Sequence, residues 1–126
     1  EEAGQLDAAA RLYTVLADGG YLGALVSLGR VRLRQGRAAE TEAIAKAVLV
    51  RDPENPAAHI LAGQAAAAQG DFTRARDSLE AARRRAPLHP EVWRSLAGVR
   101  AALGDSAGAR SAEAELRRLS PPPEVP

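Results

Sequence analysis

The chain has 126 residues, 46% hydrophobic and 26% charged, with a net charge of +1 and no cysteine. That length suits one domain. The absence of cysteine excludes disulfides and thiolate metal sites, and the near-neutral balance gives no chain-wide pull toward nucleic acid.

From the N-terminus onward, apolar spacing and helix punctuation predict seven helices, near 3–17, 21–35, 38–51, 56–69, 72–85, 90–103 and 106–119. The first carries Leu6, Ala9, Leu12, Tyr13 and Leu16, more apolar surface than one neighbour covers. It is expected to pack on a preceding segment or on a second copy of the chain. Tyr21 to Leu28 is among the longest apolar stretches, well short of the roughly 18 residues of a membrane span. Gly36, Gly70 and Gly104 fall where a helix ends and a left-handed residue is wanted. Asn55-Pro56 and His89-Pro90 put proline at a first helical position, where its missing N–H costs nothing. Glu91 adds a favourable charge to that first turn, and Arg83-Arg84-Arg85 meets the negative end of the fifth helix dipole. Glu113 stands in a column read as Tyr13, Ala45, Leu79 and Glu113. Burying an unpaired carboxylate is costly, so Glu113 is expected to face solvent. The proline-rich tail 121–126 is expected to be extended.

A fixed period runs through these elements. Gly36, Gly70 and Gly104 lie 34 residues apart, as do Pro53, Pro87 and Pro121. The columns Leu28/Ala62/Leu96, Gly29/Gly63/Ala97, Thr41/Ala75/Ala109 and Val48/Ala82/Leu116 keep the same spacing. A period of about 20–50 residues marks stacked units, none able to bury its own apolar face alone. Small side chains in such columns allow helices to approach closely.

In these residues the chain resembles the tetratricopeptide repeat family. The matching positions are Leu28-Gly29, Ala62-Gly63, Trp93 with Leu96-Ala97, Gly70-Asp71-Phe72, Ala75, Ala82 and Asp52-Pro53. They cover units at 22–55, 56–89 and 90–120, preceded over 1–20 by the second helix of a partial repeat; since the family packs the column of Glu113 against a following unit, the resemblance implies that 106–119 is a solvent-facing cap with no unit after it. The bulky first-helix column departs from the family as Leu25, His59 and Trp93; a usually aromatic column reads Arg32, Ala66 and Arg100, and Thr41 replaces an alanine. The resemblance implies an all-α, right-handed α-solenoid of antiparallel helix pairs, whose first helices line a concave groove that binds a protein or peptide.

Carried over to this chain, the groove falls on Val26, Arg30, Leu33, Arg34, Asn55, Ile60, Gln64, Ala67 and Arg94. Its arginines are expected to attract an acidic or carboxylate-bearing segment, with Val26, Ile60 and Leu33 as apolar contacts. Arg30 and Arg34 are four residues apart and project from one helix face. The lysine and asparagine clamp of the family's chaperone-tail binders is absent, since Val26, Arg30, Leu61, Glu91 and Ser95 stand there. Trp93 is expected to be a buried packing residue. His59 and His89 read as a packing residue and a cap, because a metal site needs three or four ligands. No nucleophile elbow, phosphate loop or His-Glu-x-x-His is present, so the chain reads as a non-enzymatic scaffold without cofactor, nucleic acid or membrane span. The alternatives are a docking tail of a larger enzyme and a self-association module that forms a homodimer through the first helix. The Ala/Arg/Gly bias points to a bacterial source, with the compartment open between cytoplasm and periplasm.

Overall fold

Short polar residues and glycines divide the chain into helices of nearly equal length. The computed structural model describes residues 2–18 and 20–120, and among them there are seven helices and no strand. These are α1 (Glu2–Asp18), α2 (Leu22–Arg34), α3 (Ala38–Arg51), α4 (Pro56–Ala68), α5 (Phe72–Arg85), α6 (Pro90–Ala102) and α7 (Ser106–Leu119). The expected tail at 121–126 lies outside the described residues. Gly36, Gly70 and Gly104 adopt φ of 78°, 81° and 82°, the left-handed turn that ends α2, α4 and α6. Side-chain oxygens then open the next helices: Asp71 Oδ1 accepts from Arg74 N at 3.1 Å, and Asp105 Oδ1 from Gly108 N at 2.9 Å.

Each first helix (α2, α4, α6) packs on its own second helix (α3, α5, α7), and each second helix also packs on the next first helix. Among the described residues, the backbones of α2 and α4, and of α4 and α6, come close, whereas α3 and α5 meet only through the Arg74–Glu42 ion pair at 2.6 Å. The first helices are therefore the closer-spaced layer, and the stack curves toward them. That places their outward faces on the inner wall of the curve.

Close spacing depends on missing side chains. A Cβ on Gly63 would lie 2.7 Å from Leu79 Cγ, and one on Gly29 2.7 Å from Leu61 Cδ1. The core is correspondingly aliphatic and small, with Ala75, Leu79, Ala82, Val92 and Leu96 wholly buried in its main cluster. Thr41, also wholly buried, satisfies its hydroxyl within 3.0 Å of Arg37 O and 3.3 Å of Gly29 O. Trp93 is half-buried rather than central. Its indole Nε1–H donates to Pro87 O at 2.6 Å, which holds the ring at the junction between units. His59, one repeat earlier, makes the same bond from Nε2–H to Pro53 O at 3.0 Å. The two residues share one structural task despite their different chemistry.

The register of α1 differs by one residue. Gln69 Nε2 donates to Glu42 Oε2 at 3.0 Å, and Gln35 Nε2 donates to Asp7 Oδ1 at 2.8 Å. The glutamines lie 34 apart but the acids 35 apart. The interval from the end of α1 to the start of α2 is one residue shorter than that from α3 to α4. Ala10, buried on α1, consequently takes the place that Ala45 and Leu79 take in α3 and α5, and Tyr13 takes that of Val48.

Candidate protein-binding surface

The inner wall is built from residues of α2, α4 and α6 that neither the second helices nor adjacent first helices cover. Arg30 on α2 and Arg94 on α6 are both exposed, and among the described residues neither pairs with a carboxylate. Leu33 and Ala67 are half-buried beside them. Arg34 is exposed too, but its Nη2 reaches back to Glu2 Oε1 at 2.6 Å and ties α2 to α1. Gln64 bridges α4 and α6, donating from Nε2 to Glu91 Oε1 at 2.9 Å and to Ser95 Oγ at 3.3 Å. That leaves its carbonyl oxygen available to accept.

Between α4, α5 and α6 the wall opens into a recess of about 240 Å³. Phe72 contributes apolar surface, with Leu79 and Val99 buried behind it; Gln64, Ser95 and Arg94 contribute polar groups, and Gly98 adds no side chain. A Cβ at Gly98 would meet nothing within 4 Å, so the wall there is open. Phe72 was not among the expected groove residues. It stands directly after the turn Gly70-Asp71, and its sequence position alone does not show that it reaches under α6.

Three expected groove residues are corrected by the structure. Val26 is 7% exposed and Ile60 2% exposed, each inside a core cluster. Their column lies on the side of each first helix that meets the next first helix, so the following helix covers it; Arg94, in the same column, has no such neighbour among the described residues. Asn55 is a helix cap: its Oδ1 accepts from Ala58 N at 3.0 Å and its Nδ2 donates to Asp52 Oδ2 at 3.2 Å. Its place directly before Pro56 commits its side chain to the backbone.

Electrostatic ties run between the units away from this wall. Glu42 lies below the usual carboxylate range, because Gln69 donates to it and Arg74 and Lys46 outweigh the effect of burial. Burial raises Glu80, but bonds and charges from Arg83 and Arg100 prevail and hold it low. Arg100 also donates from Nη1 to Gly108 O at 3.1 Å, so the usually aromatic column here carries a guanidinium that links α5, α6 and α7. His89 caps α6, with Nδ1 accepting from Glu91 N at 3.2 Å. Among the described residues no three His, Asp or Glu side chains gather as metal ligands would. No described helix is long and apolar enough to cross a membrane.

A family model for the tetratricopeptide repeat matches residues 32–99, and a second of the same description matches residues 1–56. No curated protein matches. Among solved structures, PcrH in complex with the chaperone binding region of PopB aligns with a TM-score of 0.72 at 22% identity, over 79% of this chain and 80% of that one. MamA aligns at 0.78 and 22% identity, over 94% and 71% respectively. A thermophilic TPR protein of Thermus thermophilus aligns at 0.83 and 22% identity, over 93% and 67%. At these identities the likeness is one of fold.

Proposed function

The chain belongs to the tetratricopeptide repeat family, and from that premise we propose that it is a protein-interaction scaffold whose first-helix wall receives an acidic segment of a partner. The observation that carries this reading is the pairing of two uncommitted guanidiniums, Arg30 and Arg94, with the apolar recess between α4 and α6. An engineered cavity of about 150 Å³ takes up benzene, so the recess has room for one branched or aromatic side chain. Carboxylates on the same segment would meet the arginines, whose planar forks suit bidentate pairing. Gln64 and Ser95 would accept from or donate to the segment's backbone. PcrH, of the same fold, was solved with a region of PopB bound. That precedent supports polypeptide as the ligand class.

Selection of binders from a random peptide display library tests this. Retained peptides are expected to be rich in Asp and Glu around one large apolar residue, and to bind more weakly as salt rises. The Arg30→Ala, Arg94→Ala double variant is expected to lose about tenfold in affinity at low salt, which is ~1.4 kcal/mol. Peptides selected without acidic bias, or equal affinity for the double variant, would overturn the assignment.

A further inference from the structure

Gly29 and Gly63 are glycines by necessity, because a Cβ on either would run into a leucine side chain. Gly98, well inside α6, has no such reason. Its φ is negative, and a Cβ there would meet nothing within 4 Å. A glycine inside a helix costs stability relative to alanine, since the unfolded chain has more freedom to lose. The open space at this position does not come from the order of the units. Arg30 stands in the same column two units earlier and is exposed although α4 packs beside α2.

What Gly98 leaves clear is the recess between α4 and α6. On α6 it lines that recess together with Arg94 and Ser95, facing Gln64 and Ala67 of α4, with Phe72 of α5 between them. The equivalent residues Arg30 and Gln64 are long, and Gln64 spans from α4 to α6. Any side chain at position 98 would take up part of the recess.

We propose that Gly98 determines which side chain the recess admits, and that the occupant is an aromatic ring of the partner segment. The proposal rests on the inner wall being the surface that receives the partner. At about 240 Å³ the recess exceeds the roughly 150 Å³ that takes up benzene. Bare helix at Gly98 suits the flat face of a ring. Half-buried Phe72 offers a second ring, and aromatic pairs in offset or edge-to-face contact gain more than their buried area alone supplies. A branched aliphatic side chain would have the same room without that contact.

Thermal unfolding and peptide binding together test the assignment. Gly98→Ala is expected to raise the Tm of the free chain by about 2–5 °C, because the helix gains a better former and nothing is crowded. The binding probe is the tightest peptide from the display selection, resynthesised with Phe, Leu or Ala at its apolar position. The unaltered chain is expected to bind the Phe version roughly three- to tenfold more tightly than the Leu version. Gly98→Leu is expected to fill the recess and weaken the Phe version by about tenfold, to the level of the Ala version, which both proteins bind alike. A Tm that does not rise, equal affinity for the Phe and Leu versions, or a preference for Phe that survives Gly98→Leu overturns the role of Gly98 and leaves the arginine-lined wall standing. Affinity that is unchanged in the Arg30→Ala, Arg94→Ala double variant fails at the wall itself and overturns both readings.

Discussion

Among the described residues α1 and α7 each have one helix packed beside them, yet they present opposite chemistry outward. The outer side of α7 carries Arg110, Ser111, Glu113, Arg117 and Arg118, with Glu115 paired to Arg118 at 2.6 Å, and only Ala109 and Ala112 are buried. α1 carries Leu12, Val15 and Leu16 outward instead. A helix with a single neighbour is satisfied when its free side is charged. α1 has the sequence of a helix between two neighbours. The comparison shows that repeat position alone does not set a helix's outer face; local sequence does.

The largest expected effect sets a fully covered position against an uncovered one. Leu79 is wholly buried between α4, α5 and α6, and Leu79→Ala should cost ~3–5 kcal/mol, as transfer and cavity terms add. Leu12→Ala on the monomer should stay within about 0.5 kcal/mol, as for other surface positions. Urea denaturation at concentrations where the chain is monomeric measures both. Comparable losses would mean that α1 is covered within the chain.

A smaller effect sharpens the same contrast between the repeats. Trp93 is half-buried and bonded to Pro87 O, so Trp93→Ala should cost about 2–3 kcal/mol, less than the ~3–5 of a fully buried aromatic. His59, with the same bond but less apolar area, should cost about 1 kcal/mol on replacement by Ala. Equal losses would show that the hydrogen bond outweighs ring packing at this junction.

The architecture was legible because periodicity and punctuation survive in single residues. Gly36, Gly70 and Gly104 marked helix ends, and Asn55-Pro56 and His89-Pro90 marked starts, to within about a residue. The wall was less legible. A periodic column says that residues are equivalent but not which side of the helix the next unit covers. Val26 and Ile60 were therefore read as groove contacts although a following helix buries them. The displaced register of α1 was hidden for a related reason. A one-residue change in a connection leaves apolar spacing intact, and only the matched bonds of Gln35 to Asp7 and Gln69 to Glu42 reveal it.

The smallest effect concerns the charges that tie α5, α6 and α7 together, where α1 has aliphatics. Arg100 and Arg83 hold the Glu80 carboxyl below its ordinary value of 4.5 against the opposing pull of burial. A carboxylate with a lowered folded value contributes stability that is complete above the unfolded value and disappears as pH falls through the folded one. Arg100→Met keeps much of the stem's packing but removes the charge, so it should cost about 1 kcal/mol at neutral pH, in the range of a partly exposed ion pair. The gap between the two proteins should narrow as pH drops below 4.5, because Glu80 becomes protonated in both. Thermal unfolding followed across that window decides the matter. A gap that stayed constant with pH would mean that Arg100 acts through its bond to Gly108 O and its packing, and that the charged tie to Glu80 adds nothing to the C-terminal end of the stack.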